Sequence, residues 1–152
     1  MKDLCENVIE NELLKNGSFA ACAKGNSMRP MLRDGLDMVI IERPGREIKK
    51  YDVILYKDPT GRYVLHRVVK VKGDDFITRG DNCYFNEVVP LSSVLGILVA
   101  YNKNGKRYEC NSFGFRAYSG RRVFFYPLRK LILCLRRFPA RVYKKLFKKR
   151  VK

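Results

Sequence analysis

Ser27 stands in the run AKGNSMRPMLRDG (residues 23–35), in a glycine-flanked turn that follows a short apolar stretch and precedes Met28 and Pro30. A serine hydroxyl is a weak nucleophile at neutral pH until a base takes its proton. The chain holds a single imidazole for that task, His66, in the run VLHRVVKV. A third run, ITRGDNC, supplies Asp81 about fifteen residues later, close enough for an adjacent strand to bring it beside His66. Serine, histidine and carboxylate, in that chain order, are the residue types of acyl transfer: nucleophile, general base, and the acid that orients the imidazole. A lone Gly-x-Ser-Met is an ordinary turn, and a lone histidine in a strand is ordinarily structural. The case for chemistry rests on the combination.

The elements that must position these residues are mostly strands. Seven short segments are rich in Val, Ile, Tyr and Phe: FAACA, DMVII, DVILY, YVLHRVVKV, DFITR, SVLGILVAY and KRYECNS. Turn signals separate them at Arg43-Pro44-Gly45, Asp58-Pro59-Thr60-Gly61, Lys72-Gly73-Asp74 and Asn104-Gly105. The last of these reads as a β-hairpin. The pattern predicts a mainly β domain over residues 17–118, a small coiled barrel or sandwich. In the histidine strand, Val64, His66 and Val68 share one face, so the imidazole is expected to be desolvated and neutral. Before the domain, Leu4, Val8, Ile9 and Leu13 recur at helical spacing and predict a short amphipathic helix over residues 1–16, ended by Gly17.

Four runs carry a family resemblance: GNSMRPMLRDG (25–35), LHRVV (65–69), TRGDN (78–82) and VLGIL (94–98). In order and spacing they resemble the successive boxes of the signal peptidase I family, which shares a clan with the LexA-type self-cleaving peptidases. The resemblance covers roughly residues 17–101. The His66-Arg67-Val68 triplet is similar to the endoplasmic-reticulum and archaeal branch, whose base is histidine rather than lysine. The resemblance implies a coiled β fold, Ser27 as nucleophile, His66 as general base and Asp81 as the GDN acid. The branch also uses an Asp six residues after that acid, where this chain has Glu87, with Asn86 before it. Either Asp81 or Glu87 is therefore expected to orient His66. Gly25 departs from the family, which often has a serine hydroxyl there to bind the oxyanion. The Ser27 N–H remains as a donor, with Asn26 as a second candidate and Met28 as a substrate contact. The resemblance also implies an extended substrate with small residues on the acyl side of the cleaved bond. Segment 19–24 is the natural edge strand to receive it. No metal or cofactor is called for.

Composition bounds the rest. The 152 residues allow one domain and a tail. Cys5, Cys22, Cys83, Cys110 and Cys134 are irregularly spaced with no CxxC pair, which argues for reduced thiols on a cytosolic side and against a zinc site. Cys22 and Cys110 are expected as small core residues. A basic helical tail is expected over residues 119–152, of which 121–152 hold thirteen Lys or Arg and no acid, most of the net charge of +17. Leu128, Leu131, Ile132, Leu135 and Phe138 after Pro127 fall on one helical face. Val142, Tyr143, Leu146 and Phe147 form a second stripe beyond Pro139. Linked basic amphipathic helices read as elements lying on an anionic membrane surface. Docking on protein and binding to nucleic acid are the rival uses, the latter without any recognisable nucleic-acid motif. No signal peptide is visible and no stretch is apolar enough to span a bilayer, so a cytoplasmic or peripherally membrane-associated protein is expected.

The sequence therefore predicts a serine endopeptidase acting on a signal or leader peptide of a precursor. Two alternatives stand beside it. One is a self-cleaving regulator, which would need a DNA-binding domain and normally a lysine base, neither of which is expected from these residues. The other is a non-catalytic adaptor that uses the basic tail on a membrane or a nucleic acid.

Overall fold

Alternation of apolar residues along the strands puts one core on each face of a single sheet. In the computed structural model, which describes residues 3–128, 130 and 131, with side chains from residue 8, strand makes up 39% and helix 24%. The protein is mainly β. After helix α1 (Asp3–Asn16) come β1 (Ser18–Cys22), β2 (Met38–Glu42), β3 (Val53–Lys57), β4 (Tyr63–Lys72), β5 (Asp75–Arg79), β6 (Glu87–Pro90), β7 (Val94–Lys103), β8 (Lys106–Glu109) and helix α2 (Phe113–Phe124). Neighbouring strands run antiparallel in the order β1-β2-β7-β3-β4-β5-β6, with β8 paired to β7.

Of the expected barrel or sandwich, the barrel does not close. β1 and β6 end the path and do not pair with each other, so the sheet of eight strands stays open. Bulges in β4 between Val68 and Lys70, and between β2 and β7 at Ile40/Ile41, twist it without joining its edges. Each of the seven predicted segments contains a strand. The eighth strand, β6, was not expected: its four residues, Glu-Val-Val-Pro, are too short to show alternation. The Asn104-Gly105 turn has φ of 52° and 72°, both in the left-handed region that a tight hairpin needs, and joins Lys103 to Lys106.

Strand β3 is buried along four successive residues because both of its faces are covered. Val53 and Leu55 point into a core with Val39, Ile41, Leu98 and Phe115. Ile54 and Tyr56 point into the other, with Val68, Phe76, Val89 and Ile97. α1 covers the first core through Leu13 and Ile9, but Val8 and Leu14 face outward, so its apolar stripe is narrower than the spacing suggested. The Leu4 side chain lies outside the described residues. Cys22 is a correction: it is exposed, because Phe19 and Ala21 take the inward positions of edge strand β1. Cys110 is half-buried against the first core, and burial pushes its thiol up to about 12.

The chain divides into two compact units, Met1–Ser119 and Gly120–Lys152. α2 begins ahead of the basic tail, capped by Ser112, whose Oγ accepts the Phe115 N–H at 3.2 Å. Residues 126–128, 130 and 131 are helical. The remaining tail expectations, on Ile132, Leu135, Phe138 and the stripe beyond Pro139, fall outside the described residues. Among the described residues no helix is long and apolar enough to cross a membrane.

The first unit is tied together by Arg67, whose side chain is 1% exposed. All five guanidinium N–H groups find acceptors. Nε and Nη2 each donate at 2.9 Å to the Asp81 carboxylate, Nη1 donates to Tyr51 O and Ser119 Oγ, and Nη2 also meets Met31 Sδ. Phe115 and Tyr118 lie against the cation. Removing one partner of such a pair strands a charge in the interior, at a cost of about 3–5 kcal/mol. Asp81→Ala should lower the unfolding free energy by about that much, read from the denaturant midpoint at unchanged m-value.

Candidate functional site

Strand β4 sends neighbouring residues to opposite faces, and this decides which acid meets the histidine. Arg67 points to the first core and takes Asp81. His66 points to the second face, where Ile54 lies across the ladder from it and Tyr56 follows two residues on. Its Nδ1 is 3.0 Å from Glu87 Oε2 and 3.2 Å from the Tyr56 hydroxyl. Of the two carboxylates left open by the sequence, Glu87 is the one hydrogen-bonded to the imidazole. Asp81 acts on it only through its charge.

Glu87 opens β6, which pairs with β5 so that Glu87 lies opposite Thr78. The Tyr56 hydroxyl donates to Glu87 Oε2, and Thr78 Oγ1 lies 3.4 Å from that hydroxyl. Burial, reinforced by the Glu87 hydrogen bond, pushes the Tyr56 phenol well above its ordinary range, so it stays a neutral donor. His66 is 4% exposed, and burial lowers its pKa below the usual imidazole value although Glu87 pulls the other way. A neutral ring whose Nδ1–H donates to Glu87 leaves the Nε2 lone pair available.

Nε2 faces Gly80. A Cβ on that glycine would sit 2.9 Å from His66 Nε2 and 2.7 Å from both the Ser27 carbonyl oxygen and Cys83 Sγ. Only glycine allows this loop to pass between the histidine and the serine turn. The loop is fastened to that turn: Asn82 N–H donates to Ser27 O at 2.7 Å, and Asn82 Nδ2 donates to Asn26 O at 3.2 Å. The segment around Ser27 is held from its other end by Gly25 N–H on Asp34 and by Ala23 N–H on the carbonyl of Asp37, whose fully buried carboxylate takes Arg33 Nε and Nη2 on its two oxygens.

Ser27 is half-buried, and among the described residues its N–H donates to nothing and its hydroxyl is unpaired. Among the described residues His66 Nε2 likewise makes no hydrogen bond, and it borders the same Gly80 packing point as the Ser27 carbonyl oxygen. Asn26 is exposed beside them, and Met28 is buried in the first core. Ser27 and Met28 lie on the wall of an apolar cleft of about 290 Å³, which is completed by Phe19, Ala21, Ala23 and Leu65. Among the described residues β1 pairs with β2 alone, so no strand covers its other edge, and several of its residues line this cleft. Cys83 is half-buried, and burial pushes its thiol up. No group of three or more metal-ligating side chains occurs among the described residues.

Sequence reasoning missed Tyr56, Thr78 and Asn82. The first had a signal: the turn at Asp58-Pro59-Thr60-Gly61 fixes a β3–β4 register that puts Tyr56 on the histidine's face. No protein-family model and no curated protein matches this chain. A functional reading therefore stands on these residues and their geometry.

Because His66 is the only histidine, its imidazole resonances identify themselves in an NMR titration. The expected midpoint lies below 6.5, and Glu87→Gln should lower it further, since Glu87 is the main group raising it. The imidazole is harder to protonate in the folded state. Its contribution to stability is therefore full above the ordinary imidazole pKa and is lost as pH falls through the folded value.

Proposed function

We propose that this protein is a serine endopeptidase of the signal-peptidase kind, with Ser27 as nucleophile and His66 as general base. The observation that carries the reading is the setting of His66: a buried, neutral ring, oriented at Nδ1 by Glu87, with Nε2 turned toward the loop fastened to the Ser27 turn. The open, bulged sheet is read as a form of the coiled β fold of that clan.

In the reaction, His66 Nε2 takes the Ser27 proton while Oγ attacks the scissile carbonyl. The Ser27 N–H donates to the oxyanion, and the exposed Asn26 is the candidate second donor. Glu87 stabilises the imidazolium that forms. The imidazolium gives its proton to the leaving amine, whose departure leaves an acyl-enzyme. Water, deprotonated by His66, then attacks the ester and restores Ser27. An extended substrate would add to the free edge of β1 and set its side chains into the cleft, where Ala21 and Ala23 leave room beside Ser27. The substrate class is a signal or leader peptide on a precursor.

The second unit supports a membrane-surface location. Phe124, Phe125, Leu128 and Leu131 are exposed, and Arg121 and Arg122 occupy the last turn of α2. Such a surface suits anionic lipid, each cation near it adding about 1 kcal/mol. A cytoplasmic or peripheral protein fits this composition.

Wild type should cleave peptides that carry small residues before the scissile bond, with products read by mass spectrometry. Ser27→Ala should abolish cleavage, and His66→Ala should reduce kcat/KM by ~10²–10⁴-fold. Persistent cleavage by Ser27→Ala would remove the mechanism. The full chain should co-sediment with vesicles containing anionic lipid, but not with purely zwitterionic ones, and release at high salt. Equal binding to both would remove the electrostatic account of the tail.

A further inference from the structure

We propose that Tyr56 is a positioning residue of the site, pinning Glu87 so that a glutamate performs the orienting task at His66. The proposal deepens the peptidase reading and rests on it for its kinetic part only. A glutamate has one more rotatable bond than an aspartate, and the Glu87 side chain is 35% exposed. Left alone, it would spend much of its time turned into water. Two groups meet its carboxylate, and a third backs the phenol that is one of them. The Tyr56 hydroxyl donates to Oε2, the same oxygen that His66 Nδ1 meets at 3.0 Å. Thr78 Oγ1, fully buried, lies 3.4 Å from the phenol oxygen and 3.5 Å from the Glu87 carbonyl oxygen, and its single proton can go to either. The Tyr56 ring stands edge-on to the imidazole, with centroids 6.2 Å apart and planes at 64°.

The placement follows from the sheet. Tyr56 sits two residues beyond Ile54, which is paired with His66, so phenol and imidazole share a face. β5 places Thr78 opposite Glu87. The phenol is held neutral across the working pH range by its burial and by Glu87, so it donates throughout. Arg79 Nη1, donating to Asn86 Oδ1 at 3.2 Å, holds the residue just before Glu87. The charged groups facing the imidazole are thus Glu87, in direct contact, and Asp81, through space.

Tyr56→Phe keeps the ring and removes the donor. The test pairs the His66 NMR titration with steady-state kinetics in four proteins: wild type, Tyr56→Phe, Glu87→Gln and the double variant. If Tyr56 pins Glu87, Tyr56→Phe lets the carboxylate leave Nδ1. The His66 midpoint then falls toward that of Glu87→Gln, and the downfield Nδ1–H resonance is lost to exchange. Catalysis should lose about tenfold in kcat with KM little changed, a fraction of what general-base catalysis supplies. In the Glu87→Gln background the same change should cost almost nothing more, because its target is gone. An unchanged or raised midpoint in Tyr56→Phe would mean that Glu87 stays in place unaided and would overturn the proposal. So would additive losses in the double variant. If wild type cleaves no peptide yet the midpoint falls as expected, the pinning stands and the peptidase reading fails. If wild type cleaves and the midpoint does not move, the peptidase reading stands and the pinning fails.

Discussion

The Arg67–Asp81 ion pair is the constraint on which the described first unit turns. A guanidinium held at 1% exposure is tolerated only where its donors are satisfied. Its acceptors come from segments far apart in sequence: Met31 after the serine turn, Tyr51 ahead of β3, Asp81 after β5 and Ser119 on α2. Moving any one of them away would leave a buried N–H without a partner. The pair adds less to net stability than its short distances suggest, because dehydration offsets much of the attraction. What it imposes is position. The residues it fixes include Asp81, whose neighbours Gly80 and Asn82 touch the Ser27 turn.

The same strand treats two adjacent polar side chains in opposite ways. Arg67 is charged, buried and saturated with partners. His66 is buried, held neutral by that burial, and bonded at one nitrogen only. Strand alternation is the cause, since one residue of offset changes the face and therefore the partners. Family resemblance alone left two carboxylates competing for the imidazole. The alternation gives Asp81 to Arg67 and leaves His66 to Glu87, which arrives on a different strand. A one-residue slip of β4 would exchange these environments and place an arginine where the phenol and the carboxylate now meet the imidazole.

What could be read in the sequence follows the strength of the local signals. Strands with β-branched alternation and clear turns were legible, as was the hairpin at Asn104-Gly105, where φ must be positive. The serine turn, the histidine strand and the GDN loop were legible as an ordered set. Closure of the sheet was not, because it depends on whether β1 and β6 meet, a long-range fact with no local signature. Strand β6 is only Glu-Val-Val-Pro and forms because β5 offers an edge. Cys22 was misplaced because composition speaks for burial while edge-strand alternation turns it outward. Tyr56 read as one more apolar strand residue. Its hydroxyl acquires meaning only once register brings a histidine and a glutamate to the same face.

Cys83 raises a question of chemistry, because its sulfur lies as close to the Gly80 packing point as the Ser27 carbonyl does, and His66 Nε2 borders the same point. Cysteine next to histidine is a familiar nucleophilic pair, in which a thiolate faces an imidazolium. Here the environment opposes both ions. Burial pushes the Cys83 thiol up and the His66 imidazole down, so each group is driven toward its neutral form. Transfer of the thiol proton to His66 would create two charges in a setting that disfavours each of them. A nucleophile that loses its proton only as it attacks avoids this, since negative charge then develops on the substrate oxygen rather than resting on the enzyme. On the proposed peptidase reading, that requirement favours the half-buried hydroxyl of Ser27, at the wall of the cleft and with its own N–H uncommitted, over the more nucleophilic sulfur of Cys83.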